Sequence, residues 1–235
     1  MALPTESNRK NTTNDRVSKL LSIAGEAAAM IAANKAAITK KKIEIIAIGS
    51  STGGTEALSQ VLPKLRPPLP PVVVVQHIPE GFSKLFADRM NSECVLNVKE
   101  AVNGDIVKPN SVYIAPGGQH MAVHKVGDIT KICCHMGPKL HGCRPAVDVL
   151  FHSISHYFTG GSSMAVILTG IGHDGARGML DMKQQGSPTI GQDEATSVVY
   201  GMPKAAFELG AVDKQFPLNM IAAAIMNRVK SNESF

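Results

Sequence analysis

Three side chains that could act together in hydrolysis each follow a short apolar run of the chain. They are Ser51, His77 and Asp174, and the runs that precede them cover residues 43–48, 72–75 and 164–168. In open α/β sheets, sites form in the loops that leave the carboxyl ends of the strands. If the three runs are neighbouring strands, a hydroxyl, an imidazole and a carboxylate meet at one edge. These groups are the nucleophile, the base and the orienting acid of a hydrolytic triad, in the chain order Ser, His, Asp.

The glycine-rich loop around Ser51 also has a second interpretation. Residues 49–54 read Gly-Ser-Ser-Thr-Gly-Gly, which could form a phosphate-binding loop at a helix N-terminus. The lysine of a phosphate-binding P-loop does not follow these glycines, and the pattern G-x-G-x-x-G is absent because residue 51 is Ser. The alternative is therefore a non-catalytic phosphate- or nucleotide-binding module that uses Gly49–Gly54. A module of that kind needs neither His77 nor Asp174, so their placement favours the hydrolase.

The surrounding pattern indicates the elements that must position these loops. Apolar runs with few polar interruptions, separated by helical patterns, are typical of parallel strands covered on both faces. Helices are predicted at 55–62, 82–90, 144–158, 176–185, 202–209 and 217–229, and another strand near 189–190. Residues 95–135 alternate and carry turn signals, which predicts short strands or hairpins. The sequence thus predicts one α/β domain over 43–230: a doubly wound, mostly parallel sheet with helices on both faces and a small antiparallel hairpin region.

The segment before this domain has a different composition. Residues 1–42 are predicted to be a disordered tail followed by a linker-like helix at 17–36. They contain eight basic and three acidic side chains, whereas residues 43–235 contain sixteen of each. A nucleic-acid-binding protein carries its positive charge on the folded domain, so that class is excluded. The chain also lacks a run of about 18 apolar residues, and we expect a cytoplasmic protein.

Four cysteines occur, at 94, 133, 134 and 143, and none forms a CxxC pair. The sequence therefore predicts free thiols in a reducing compartment. Without paired ligand spacings we expect neither a metal site nor a cofactor.

Six blocks of the chain resemble CheB-type chemotaxis methylesterases, collinearly from about 43 to 229. The blocks are residues 49–57 (GSSTGGTEA), 76–82 (QHIPEGF), 113–121 (YIAPGGQHM), 144–151 (RPAVDVLF), 168–175 (LTGIGHDG) and 200–203 (YGMP). The resemblance implies a protein-glutamate methylesterase that hydrolyses glutamate γ-methyl esters on the cytoplasmic helices of chemoreceptors. Many members also deamidate receptor glutamines, so the implied partner is the cytoplasmic domain of a methyl-accepting chemoreceptor. The protein would approach the membrane only through such receptors.

The resemblance also implies roles for individual residues. Ser51, not Ser50, corresponds to the nucleophile, His77 to the general base and Asp174 to the group that orients it. The backbone N–H of Thr52, just past the nucleophile, is an oxyanion donor by position, and the family pattern suggests a second donor near Ile171. Substrate contacts are expected from five further residues, His120, Met121, Arg144, Tyr200 and Met202.

The chain departs from the family pattern in four places, and one of them is Ala146, where Ser is common. Ile171 replaces the usual Met, and His173, beside the triad aspartate, replaces the usual Asn; we expect His173 to face solvent. Family members usually carry an N-terminal receiver domain, but 42 residues are too few for one. We therefore expect a stand-alone esterase or a truncated version.

Overall fold

The computed structural model describes residues 41–231. The tail and the linker-like helix predicted within residues 1–40 lie outside the described residues. Seven strands form one sheet in which every neighbouring pair is parallel. These strands are β1 (Ile45–Ser50), β2 (Val72–Gln76), β3 (Asn97–Glu100), β4 (Ser111–Ile114), β7 (Ser163–Ile167), β8 (Thr189–Gln192) and β9 (Lys214–Phe216), in the order β3-β4-β2-β1-β7-β8-β9. Strands β5 (His120–Val126) and β6 (Ile129–His135) pair separately as an antiparallel hairpin.

Residues 41–231 contain six helices, of which five lie between strands and one follows β9. They are α1 (Gly54–Val61), α2 (Phe82–Glu93), α3 (Val147–Tyr157), α4 (Ala176–Gln184), α5 (Met202–Glu208) and α6 (Leu218–Lys230), and a 3₁₀ turn covers Leu62–Lys64. Crossovers that contain helices are the connection that parallel strands require. The helices predicted from the sequence are found at these positions, with ends that differ by up to three residues.

The sheet separates two apolar cores because successive side chains of a strand point to opposite faces. On β1, Ile46 and Ile48 pack into the core formed with α1, α2 and α6. Ile45 and Ala47 pack into the other core, formed with α3, α4, α5 and the hairpin. Every residue of β1, β2 and β7 is buried. This burial on both faces explains the continuous apolar runs, and the predicted doubly wound α/β fold is confirmed.

The structure refines the prediction for residues 95–135. Only 120–135 forms the hairpin, with its turn at Gly127-Asp128. The earlier strands β3 and β4 join the main sheet in parallel, and the Asn103-Gly104 turn lies between them. β9, with three residues, was not predicted because so short a strand leaves no periodic signal.

Within residues 41–231, every helix is too short or too polar to cross a membrane.

Candidate active site

Two central strands bring Ser51 and His77 to the same level. β1 and β2 pair in parallel, with Ser50 opposite Gln76. Ser51 directly follows β1, and His77 directly follows β2. The backbone N–H of His77 donates to the carbonyl of Ser50 at 3.0 Å. β7 lies on the other side of β1, and the loop that follows it carries Asp174. The three predicted residues therefore meet at the carboxyl edge of the sheet, where such sites form.

Ser51, His77 and Asp174 form a continuous chain of contacts. The Nδ1 atom of His77 lies 3.1 Å from the Oγ atom of Ser51, and its Nε2 atom lies 2.7 Å from Oδ2 of Asp174. A carboxylate only accepts hydrogen bonds, so Nε2 carries the ring proton of a neutral His77. The lone pair of Nδ1 therefore faces the serine hydroxyl. Asp174 is almost fully buried, whereas the ring of His77 keeps 13% of its surface exposed.

The carboxylate of Asp174 also closes the first turn of α3. Its oxygens accept the backbone N–H groups of Val147 at 2.7 Å and of Asp148 at 2.9 Å. Val147 and Asp148 are the first two residues of α3. The side chain of the N-cap residue, Ala146, cannot accept a hydrogen bond from either of them. A helix N-terminus has unpaired donors and favours a negative charge. Burial alone raises the pKa of the Asp174 carboxyl, but the hydrogen bonds from His77, Asp148 and Val147 outweigh it and hold this pKa below its usual value.

The two adjacent serines face different surroundings. Ser50 is fully buried, and its Oγ donates to Oε1 of Gln76 at 2.6 Å. Ser51 is partly exposed, and its Oγ faces His77. The Nε2 atom of Gln76 donates to the carbonyls of Ser51 and of His77, each at 2.9 Å. Gln76 thus holds the backbones of both residues. The sequence pattern assigned no role to Gln76, although a polar residue that ends the run 72–75 was a usable signal.

The two predicted oxyanion donors lie beside Ser51. Thr52 follows it directly, and Gly170, the neighbour of Ile171, packs so closely that an added Cβ would lie 2.7 Å from the Cβ of Ser51. Thr52 and Ile171 are both exposed. Within residues 41–231, neither backbone N–H has a protein acceptor. Both N–H groups are therefore available to a ligand.

Three of the five predicted substrate contacts are buried, and the structure corrects that expectation. His120 is 1% exposed; its Nε2 donates to the carbonyl of Pro138 and its Nδ1 accepts the N–H of Ala146. Met121 and Met202 are fully buried in the core that contains α3. Side chains buried to this extent have no free surface with which to contact a substrate.

The other two predicted contacts are partly exposed. The guanidinium of Arg144 donates to the carbonyl of Gly137 at 3.0 Å, which ties the segment before α3 to the end of the hairpin. The hydroxyl of Tyr200 accepts a hydrogen bond from Gln215. Its backbone forms a bridge with Gly170, beside the Ser51 loop.

Two further titratable side chains near the triad, Cys143 and His141, belong to the segment before α3. Cys143 Sγ lies 3.5 Å from Nδ1 of His77, on the nitrogen that also faces Ser51. His141 Nε2 donates to Oδ2 of Asp148 at 2.9 Å, and its ring packs edge-on against His173 at 4.6 Å. His173 is exposed, as expected.

One group of side chains near the triad has donor atoms close enough to hold a metal ion. It consists of His141, Asp148 and Asp174, whose ligand atoms all lie within 4.8 Å of one another. The carboxylate oxygens of both aspartates already accept hydrogen bonds from the protein. Asp148 Oδ1 accepts the N–H of Gly178 at 2.8 Å, and the carboxylate of Asp174 accepts three hydrogen bonds. A cation at this position would have to displace the contacts that orient His77.

Serine, histidine and aspartate are hydrogen-bonded in sequence at the carboxyl edge of a parallel α/β sheet. This arrangement is typical of serine hydrolases. The chain belongs to the CheB methylesterase family, whose model matches residues 46–225.

Known relatives support this assignment. The chain is 51% identical over 181 residues to a protein-glutamate methylesterase/protein-glutamine glutaminase of Syntrophomonas wolfei, covering 77% of this chain and 53% of that protein. It is 50% identical over 186 residues to one from Syntrophus aciditrophicus, covering 79% and 54%. The chain therefore spans about half the length of these curated relatives. The crystal structure of the Thermotoga maritima CheB methylesterase catalytic domain superposes with a TM-score of 0.77 at 38% identity, covering 80% of this chain and all of that one.

Proposed function

We propose that the protein hydrolyses glutamate γ-methyl esters, and deamidates glutamines, on the cytoplasmic helices of methyl-accepting chemoreceptors. The observation that carries this proposal is the chain of contacts from Ser51 through His77 to Asp174 at the carboxyl edge of the sheet. The names of the relatives support the substrate and both activities. The protein would work in the cytoplasm, reach the membrane only through its receptors and need no cofactor or metal.

In the first half of the reaction, Ser51 is the nucleophile. Nδ1 of His77 takes the proton of Ser51 as Oγ attacks the carbonyl carbon of the ester. The buried charge of Asp174 stabilises the imidazolium that results. The N–H groups of Thr52 and Ile171 donate to the oxygen on which negative charge develops.

In the second half, His77 returns the proton. It protonates the departing methanol, or ammonia when the substrate is a glutamine, and leaves a glutamyl ester on Ser51. The same nitrogen then takes a proton from water, which attacks this ester. Release of the glutamate carboxylate restores the hydroxyl of Ser51 and the neutral ring of His77.

The contacts of the glycine-rich loop disfavour the alternative, a phosphate-binding module. The N–H of Gly54 donates to the carbonyl of Ser51 at 2.7 Å, so it is already paired within the loop. A Cβ built on Gly54 would lie 2.1 Å from Oε1 of Gln76. The small residue at 54 therefore lets α1 pack against Gln76, a requirement that exists without any phosphate.

The test is methanol release from receptor membranes carrying methylated glutamates. We expect Ser51→Ala to lower the rate by about 10⁴-fold or more, as removal of a triad nucleophile does elsewhere. Ser50→Ala is the matched control at the neighbouring residue. It removes the hydrogen-bond donor to Oε1 of Gln76 and should lower the free energy of unfolding by about 1–3 kcal/mol. It should nevertheless retain most of the rate, because Ser51 still faces His77.

A serine-directed phosphonate provides an independent measurement. It should label Ser51 in the unmodified protein and in Ser50→Ala, but not in Ser51→Ala. Equal loss of methanol release in the two variants would contradict the assignment of the nucleophile. Failure of the phosphonate to label either serine would favour the non-catalytic module.

A further inference from the structure

A thiol lies at the atom that must receive the proton of the nucleophile. Cys143 Sγ is 3.5 Å from Nδ1 of His77, and Ser51 Oγ is 3.1 Å from the same nitrogen. Cys143 belongs to the segment between the hairpin and α3 and is partly exposed. The mechanism above uses Ser51 and His77 but has no use for a thiol. The thiol and the hydroxyl therefore both lie against this one nitrogen.

The spacing of these atoms fits a tetrahedral metal ion. Zinc binds cysteine sulfur at about 2.3 Å and histidine nitrogen at about 2.0–2.1 Å, so tetrahedral angles separate the two ligands by about 3.5 Å. The observed distance of 3.5 Å between Sγ and Nδ1 matches that separation. The hydroxyl of Ser51 lies 3.1 Å from the same nitrogen.

The other ring nitrogen of His77 has the kind of partner that zinc-binding histidines usually have. Histidines that bind zinc usually donate their other ring N–H to a carboxylate, which fixes the tautomer and makes the free nitrogen more basic. Asp174 holds Nε2 of His77 in this way at 2.7 Å. The ring thus presents the lone pair of Nδ1 towards Cys143 and Ser51, as a metal ligand would.

We propose that Cys143, His77 and Ser51 form a site for a thiophilic divalent cation, of which Zn²⁺ is the model, and that its occupation blocks hydrolysis. On binding, Cys143 releases its proton to solvent and its thiolate ligates the cation together with Nδ1 of His77. The hydroxyl of Ser51 and water complete the coordination. The blockade rests on the proposed function: a coordinated Nδ1 has no lone pair left to accept the proton of Ser51.

The sequence did not indicate this site because its ligands lie far apart along the chain. Cys143 is 66 residues from His77, so it lacks the paired spacing that identifies zinc ligands in a sequence. Burial, and then the nearby charge of Asp174, raise the pKa of the Cys143 thiol, whereas Lys139 lowers it. Binding of the cation to the thiolate releases this proton.

The first experiment measures binding without reference to activity. Full-length protein freed of metal by a chelator is titrated with Cd²⁺, and the ultraviolet thiolate-to-cadmium absorption is recorded. Part of this absorption should disappear in Cys143→Ser and the same part in His77→Ala. Cys133→Ser is the matched control, because Cys133 is exposed on β6 and should contribute independently. Cys94 and Cys134 should contribute little near neutral pH, because burial raises both thiol pKa values to about 11.

The second experiment measures methanol release with added Zn²⁺, and each variant is compared with its own rate in chelator. Zn²⁺ should inhibit the unmodified protein and Cys133→Ser reversibly, whereas Mg²⁺ should not. Cys143→Ser should need at least about tenfold more Zn²⁺ for the same inhibition, the usual scale for loss of a metal-site contact.

The outcomes separate the cation site from the proposed function. An unchanged cadmium absorption in Cys143→Ser overturns the site, whether or not the protein is an esterase. Equal zinc sensitivity in Cys143→Ser and Cys133→Ser overturns the blockade. Site-specific cadmium binding in a protein that releases no methanol would support the site and refute the proposed esterase.

Discussion

Among single residues, Asp174 combines a structural and a chemical role. Its carboxylate accepts from the ring of His77 and from two backbone N–H groups of α3. These contacts hold its pKa below the usual value despite burial. A carboxyl whose folded-state pKa is lowered stabilises the fold above its unfolded-state pKa of about 3.9. That contribution is lost as the pH falls through the lower, folded-state value.

Asp174→Asn tests both roles. We expect the free energy of unfolding at neutral pH to fall by about 1.5–3 kcal/mol, because a charged acceptor is removed from its donors. Urea denaturation should show this difference shrinking as the pH falls below about 4 and the native carboxyl also becomes neutral. Methanol release should fall by about 10⁴-fold, the effect of the same exchange in another serine hydrolase. A stability difference that is constant across this pH range would contradict the assigned role of the charge.

The sequence predicts the residues of the site unevenly, for physical reasons. Ser51, His77 and Asp174 follow apolar runs, and the geometry of parallel sheets carries such positions to one edge. His120 lies in one of the blocks that resemble the family, but its burial depends on contacts with the carbonyl of Pro138 and the N–H of Ala146. Long-range packing of that kind leaves no local pattern.

At the scale of elements, Gln76 links the ends of β1 and β2. Its amide group accepts from Ser50 and donates to the carbonyls of Ser51 and His77. It is 3% exposed, so water cannot replace these bonds. The distance between Ser51 Oγ and His77 Nδ1 therefore depends on one side chain that touches neither reacting atom.

Gln76→Met removes this link with little change of shape. Displacement of catalytic groups by about 1 Å costs about 100-fold in rate, so we expect kcat to fall on that scale while KM changes little. Gln192→Met is the matched control. Gln192 is a fully buried amide at the end of β8 that bonds the backbones of Thr169 and Thr196.

Both glutamine variants should lose a comparable amount of stability in urea denaturation, about 1–3 kcal/mol. Only Gln76→Met should lose most of its kcat. A similar fall of kcat in both would indicate general loosening of the sheet rather than a positioning role for Gln76.

The elements themselves differ in how well the sequence predicts them. The central strands β1, β2 and β7 are buried on both faces and read as apolar runs. In the marginal strand β3, Asn97–Glu100, only Val98 is buried, so the strand has no apolar run, yet it pairs in parallel with β4. Pairing partners at the sheet margin are decided by the crossovers, which a local pattern does not reveal.

At the scale of the whole molecule, charge is distributed unevenly along the chain. Residues 1–42 carry eight basic and three acidic side chains, and residues 43–235 carry sixteen of each. The site residues all lie in the neutral part. Positive charge on the first segment would attract the protein to acidic surfaces over about one Debye length, roughly 10 Å at 0.1 M salt.

Removal of residues 1–40 should therefore affect association more than chemistry. We expect trimmed and full-length protein to hydrolyse a small soluble ester at the same rate. Sedimentation with receptor membranes should be stronger for the full-length protein at low salt, and the difference should fade above about 0.5 M salt. A large gain of rate on trimming at every salt concentration would instead identify the first segment as an inhibitor.

The capping of α3 by Asp174 makes the integrity of the site observable through hydrogen exchange. The amide hydrogens of Val147 and Asp148 can exchange with solvent only when their bonds to this carboxylate open. An opening in which Asp174 moves away also withdraws it from His77, because Oδ2 serves both Val147 and the ring. The exchange rates of these two amides thus set an upper limit on how often Asp174 leaves His77 in the resting protein, without any substrate present.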